Sequence, residues 1–184
     1  MKKLLTILVS AALASLSVQA DDDTSALQAE ARAQIKTFAG ALQSTLKQGM
    51  ESDGPVHAIG LCNTEAPLIA EQTSRNGWQI GRTSLKVRNP DNQPDAWERE
   101  VLQQFEQRKQ AGEDLMTLEA SATENGEFRF MKAIPTGAAC IACHGTELSA
   151  PVQARLDELY PQDQARGFNP GDLRGAFTLR KTLE

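Results

Sequence analysis

The chain has 184 residues, 19 of them basic and 24 acidic, with a net charge of −5 and three cysteines. Lys2 and Lys3, the apolar run from Leu4 to Leu16 and Val18-Gln19-Ala20 before Asp21 read as a secretory signal peptide over residues 1–20, too short and wrongly flanked for a stable membrane span. Its removal leaves residues 21–184 with 17 basic against 24 acidic side chains, net −7, which argues against nucleic acid or anionic lipid as partner.

The expected mature chain is one exported, periplasmic domain without a membrane span, long enough to bury about two-thirds of its unfolded surface. From Thr24 to Met50, Leu27, Ala31, Ile35, Phe38, Leu42, Leu46 and Met50 recur at spacings of three and four, marking a long amphipathic helix capped by Thr24 or Ser25 and ended near Gly49 and Gly54. Pro55 suits the first turn of a second helix carrying Val56, Ile59 and Cys62. Pro67 predicts a break, with Cys62 just before it and a further short helix to about Thr73.

Trp78 to Val87 alternates loosely and predicts a strand, followed by a loop at Asn89-Pro90 to Pro94. Asp95 can cap a helix with Trp97, Val101, Leu102 and Phe105 inward, ending at Gly112. Leu115 to Ala122 and Phe128 to Ile134 flank Asn125-Gly126, a strong hairpin signal. Pro151 to Leu159 reads as a helix. Leu173 to Leu179 reads as a last strand, with Gly175 at a bulge or a close approach. These elements predict an α+β fold with an antiparallel sheet and flanking helices.

Cys140-Ile141-Ala142-Cys143-His144 is the attachment signature of a c-type haem. Two thiols on one helical turn can each add across a vinyl group, and the histidine after the second lies where it can ligate iron. A redox dithiol is a competing reading, but it leaves His144 unexplained. A zinc site of Cys62, Cys140, Cys143 and His144 has suitable ligand types, although adjacent Cys143 and His144 converge poorly on one tetrahedral ion. The reading adopted is one covalently attached haem c with His144 as a metal ligand. The sixth position is open to Cys62, His57, Met50, Met116, Met131 or nothing. Arg82, Lys86 and Arg88, alternating along the expected strand, are candidates to neutralise the haem propionates, with Arg174 a weaker one.

Ile59-Gly60-Leu61-Cys62 with Ala66-Pro67, then Arg82 through Pro90, Asn92, Pro94-Asp95 and Trp97-Glu98 carry a resemblance that continues to the end of the chain. Cys140 through Gly145, Tyr160-Pro161, Gly167-Phe168 and Gly171 through Phe177 complete it. Together, over roughly residues 25–181, they resemble a bacterial family of PAS-like c-type haem domains, first catalogued as a domain of unknown function. The resemblance implies a PAS-like antiparallel sheet, Cys140 and Cys143 as thioether cysteines, His144 as proximal ligand and Cys62 as distal ligand, since the founding member holds its iron by histidine and cysteine. Relatives are often the exported sensory part of signalling proteins. This chain ends at Glu184 with no transmembrane helix or output domain, so signalling would need a separate partner.

The expected function is a redox or small-gas sensor in which the Cys62 thiolate, a soft anionic donor, is released on reduction. Periplasmic electron transfer with a redox protein is the alternative. Enzymatic chemistry is not expected, because a peroxidase needs a distal acid–base pair and His57 is the sole histidine besides His144.

Overall fold

A computed structural model describes residues 12–183, with side chains from Asp23 onward. Residues 1–11 of the segment read as a signal peptide lie outside them. Among the described residues no helix is long and apolar enough to cross a membrane.

The first element, α1 (Ala12–Thr73), is two helical arms joined at Asp53 (φ −152°, ψ 27°) and Gly54 (φ 73°, ψ −167°). Gly54 adopts a positive φ that a side chain would resist, and Pro55 restarts the helix with its φ already set. The arms pack against each other: a Cβ on Gly49 would lie 2.9 Å from the Ala58 Cα. Ile69 of the second arm joins Ala31, Ile35 and Phe38 of the first in one core cluster.

Two local expectations fail here. The backbone is already helical from Ala12, so no helix begins at Thr24 or Ser25. No proline or glycine between Ala12 and Ser25 interrupts it. Nor does Pro67 break the second arm, since the non-helical dihedrals within α1 are those of Asp53 and Gly54 alone. A proline inside a helix costs about 3 kcal/mol. The burial of Ile69 one half-turn later offsets that cost by tertiary packing, which local propensity does not register. Cys62 therefore lies inside a continuous helix and is aimed by helical phase.

Four strands, β1 (Trp78–Thr83), β2 (Glu119–Glu124), β3 (Glu127–Pro135) and β4 (Leu173–Thr182), form one antiparallel sheet in the order β1-β4-β3-β2. Asn125 and Gly126 both have positive φ at the β2–β3 turn, as the hairpin signal requires. Period-two alternation sends Trp78, Ile80, Phe128, Phe130 and Leu179 toward α1. Met131, Ala133 and Ala176 point the other way, onto Val101, Leu102 and Phe105 of α2 (Ala96–Gln110). The α+β architecture is as expected. Leu115–Thr117, expected to begin a strand, is a 3₁₀ turn in which Asp114 Oδ1 accepts the Met116 N–H.

A capping box starts α2. Asp95 Oδ1 accepts the Glu98 N–H at 2.9 Å, and Glu98 Oε2 accepts the Asp95 N–H at 3.0 Å. Asp95 Oδ2 also accepts from Arg129 and Arg180, both at 2.6 Å, tying the helix start to the sheet. Burial works to raise the Asp95 pKa, but these donors outweigh it and hold the carboxyl below its ordinary value. A depressed carboxylate stabilises the fold above its unfolded pKa, near pH 4, and that contribution is lost as pH falls through the folded value. Asp95→Ala should cost about 1–2 kcal/mol at pH 7 and less near pH 3, measured by urea denaturation at the two pH values.

Candidate haem site

The Cys140–His144 motif follows β3. The Thr136 N–H donates to the Asp172 carbonyl and the Gly171 N–H to the Thr136 carbonyl, each at 2.8 Å, so the chain leaves β3 clamped to the loop before β4. A 3₁₀ turn (Ala138–Cys140) then runs into α3 (Ile141–His144), a single helical turn. Cys140 and Cys143 thus share one turn, as double thioether attachment requires. Behind it, the Gly167 N–H donates to the Gly145 carbonyl at 2.9 Å and the Phe168 N–H to the His144 carbonyl at 3.0 Å.

The His144 imidazole stands edge-on to Phe168, with ring centroids 6.3 Å apart. Its Nδ1 lies 2.7 Å from the Ala165 carbonyl oxygen. A carbonyl can only accept, so Nδ1 carries the proton and Nε2 keeps its lone pair. Burial first, then the positive charges of Arg174 and Arg88, push the His144 pKa down to about 3. The ring is neutral at physiological pH, which is the ligating form.

The second arm of α1 places Cys62 beside this turn. Ile59, three residues earlier and on the same side, packs with Val152 and Leu156 of α4 (Ala150–Leu159), and Cys143 and Tyr160 lie at the edge of that cluster. Burial pushes the Cys62 thiol up, while Arg82 and Arg88 oppose it. The Cys143 thiol is likewise raised by burial, opposed by Arg88, and raised further by Cys62 and Cys140. The three cysteines share one electrostatic neighbourhood.

The other residues weighed for the sixth position lie elsewhere. His57 is exposed and five residues from Cys62, about 140° around the helix. Met50 and Met116 are exposed, and Met131 is buried in the core on the α2 face. The four-residue zinc arrangement does not form: among the described residues no group of three or more His, Cys, Asp or Glu side chains is arranged to hold a metal ion.

The basic residues require a correction. The strand β1 ends at Thr83, where Ser84 turns its hydroxyl to the Arg174 carbonyl, so Arg82, Lys86 and Arg88 do not lie along one strand face. Arg82 shares the face of Trp78 and Ile80, toward α1. Arg88, from the following loop, donates to the Cys143 carbonyl at 2.5 Å and pairs with Asp163 at 3.2 Å. Lys86 Nζ donates to the Arg166 carbonyl at 3.0 Å and lies 4.9 Å from the Phe168 ring centre, over which Arg174 also stands, at 5.2 Å. Arg174 joins Arg82 and Arg88 in one electrostatic cluster.

Desolvation lowers the pKa of Arg82, with Arg88 adding to the effect and Cys62 and Tyr160 opposing it. Arg82 still reaches solvent, which screens its charge. Desolvation, then Arg88 and Arg82, push Arg174 down to about 10. Among the described residues, neither Arg82 nor Arg174 has a carboxylate within salt-bridge distance, whereas Arg88 does. Two crowded guanidiniums without a counter-anion, next to two thiols and a neutral imidazole, suit a ligand carrying two carboxylates and a metal.

Asp163, Ala165 and Phe168 carry much of this geometry, yet the sequence reading assigned none of them a role at the site. Their partners His144 and Arg88 are 21 to 77 residues away, and no local pattern marks them.

A family profile described as Tll0287-like matches residues 17–181. Among solved structures, the crystal structure of the cyanobacterial haem protein Tll0287 is similar to this chain, with 24% sequence identity and a TM-score of 0.62, covering 84% of this chain and 94% of that one. No curated protein matches it. With the profile spanning nearly all of the chain from α1 to the end of β4, the protein belongs to the Tll0287-like family.

Proposed function

We propose that this is an exported, periplasmic protein carrying a single covalently attached haem c, and that it works as a redox or small-gas sensor rather than an enzyme. The observation that carries the reading is the one-turn motif: two thiols beside a neutral imidazole whose Nδ1 proton is committed to Ala165, leaving Nε2 to ligate. The haem protein Tll0287 of similar fold supports the cofactor class. Cys140 and Cys143 would hold haem by thioethers, His144 Nε2 and Cys62 Sγ would ligate its iron, and Arg82, Arg88 and Arg174 would supply positive charge for its two carboxylates. Lys86 would have no part in that contact. Bound haem would supply a redox-active iron that can also take small gases.

Cys62 is the element that makes this a sensor. Its Sγ would ligate as thiolate and take up a proton on release, and it sits on the second helical arm of α1, beyond the bend at Asp53 and Gly54. A separate signalling or redox protein would read that shift. Cys62→Ser should change the ferric absorption and spin-resonance spectra while leaving covalent attachment intact. Unchanged spectra would sink the ligand assignment.

Electron transfer is the second reading. Its support is the rigid backing of α3, where both the His144 and Gly145 carbonyls are hydrogen-bonded, since a fixed ligand keeps reorganisation small. Carbon monoxide or nitric oxide binding with displacement of Cys62 favours the sensor; rapid reversible reduction with both ligands retained favours the carrier.

A further inference from the structure

One carboxylate reaches toward both the histidine and the arginine sides of the site. The Asp163 side chain is fully buried. Its Oδ1 accepts the Ala165 N–H at 2.9 Å and Arg88 Nε–H at 3.2 Å, and its Oδ2 accepts Arg166 Nε–H at 2.9 Å. Each of the first two bonds leads to the motif. Ala165 presents the carbonyl that takes the His144 Nδ1 proton, and Arg88 grips the Cys143 carbonyl while making a long 3.4 Å contact to that same Ala165 oxygen. The loop is pinned from below as well, by the Gln164 N–H donating to the Val87 carbonyl at 2.9 Å.

We propose that Asp163 is the positioning residue of this site, holding the Ala165 peptide and Arg88 so that His144 is locked in its Nδ1–H tautomer with Nε2 presented. Without it, Ala165 loses the acceptor for its N–H and Arg88 its counter-charge. The carbonyl that orients the imidazole then has nothing to fix its direction. In a metal site the hydrogen bond to the non-ligating ring nitrogen sets orientation and basicity of the ligand. Asp163 also places a negative charge behind the imidazole, so its loss should favour the reduced, less positive iron. This second consequence rests on the haem reading; the tautomer lock does not.

The test uses both. In a haem-free full chain carrying Cys140→Ser, Cys143→Ser and His57→Gln, one histidine remains, and nitrogen-15 NMR should show a single Nδ1–H tautomer with slow proton exchange. Adding Asp163→Ala, which leaves the Ala165 N–H without its acceptor, should give mixed tautomers and exchange at least tenfold faster. In the haem-loaded protein, Asp163→Ala should raise the midpoint potential. Arg166→Gln, which removes only the outer partner of Asp163, should leave the tautomer and its exchange unchanged and should not raise the potential. A folded Asp163→Ala chain with the tautomer and its exchange unaltered overturns the proposal, and so does an equal effect on exchange from Arg166→Gln, which would mean general loosening of the loop. If Asp163→Ala does not fold, Asp163→Glu keeps the charge but moves it by a methylene; tenfold faster exchange supports the lock, and unchanged exchange overturns it. A chain that carries no haem removes the potential measurement and leaves the tautomer result standing.

Discussion

Replacing Cys140 and Cys143 together by serine should abolish covalent haem while leaving the chain folded. A haem-stained denaturing gel after co-expression with a maturation system reads the first outcome, and circular dichroism with a thermal melt reads the second. The two parts separate because the motif turn contributes little to the core. All three of its key side chains are half-buried, whereas the two main core clusters are built on residues of α1, α2 and the sheet. Serine is close to cysteine in volume but cannot form a thioether, so the loss should be complete in the double variant and partial in either single one. A stained band of parental intensity from the double variant would undo the cofactor reading. The fold assignment would survive it.

Gly175→Ala should be the most damaging single methyl addition near the site, costing about 3 kcal/mol or more and lowering haem loading with it. The glycine sits at φ 155°, where an L side chain is strained, and a Cβ there would lie 2.3 Å from the Thr83 carbonyl oxygen. That neighbour is backbone, so no rotamer change relieves the clash. The register of β3 against β4 shifts at this point, where Ile134 pairs with Gly175 but Pro135 with Leu173, leaving Arg174 as the bulged residue. Forcing Gly175 outward displaces Arg174 from the arginine cluster and parts β4 from the end of β1, where Arg82 lies. Urea denaturation reads the stability loss, and the ratio of haem to protein absorbance reads the loading. A variant within about 0.5 kcal/mol of the parent would show that the sheet corner is more compliant than its close approach suggests.

Much of the fold was legible because its signals are local. The hairpin needs two adjacent residues at positive φ, which Asn125-Gly126 supply, and α2 needs the Asp95–Glu98 pair to cap it. Pro67 misled because its cost is local while the packing that outweighs it comes from Ile35 and Phe38, more than twenty residues away. The placement of Lys86 and Arg174 differs from expectation for a similar reason. Alternation along an expected strand ranked Lys86 higher, but the strand stops at Thr83 where β4 bulges, and the bulge itself presents Arg174.

The sequence by itself determined the motif. Two thiols on one turn, and a histidine directly after them, are residues adjacent in the chain, so Cys140, Cys143 and His144 could be read as the candidate set without a structure. The tertiary structure decided everything that depends on approach between distant segments. It brought Cys62, from a helical arm just over eighty residues earlier, into the electrostatic reach of Cys143. It brought Arg174 within electrostatic reach of Arg82 and Arg88, and it set Asp163 behind His144 through the Ala165 peptide. Such contacts arise from the bend at Gly54, the close approach at Gly175 and the packing of loops against one turn, and none of these leaves a periodic trace in sequence.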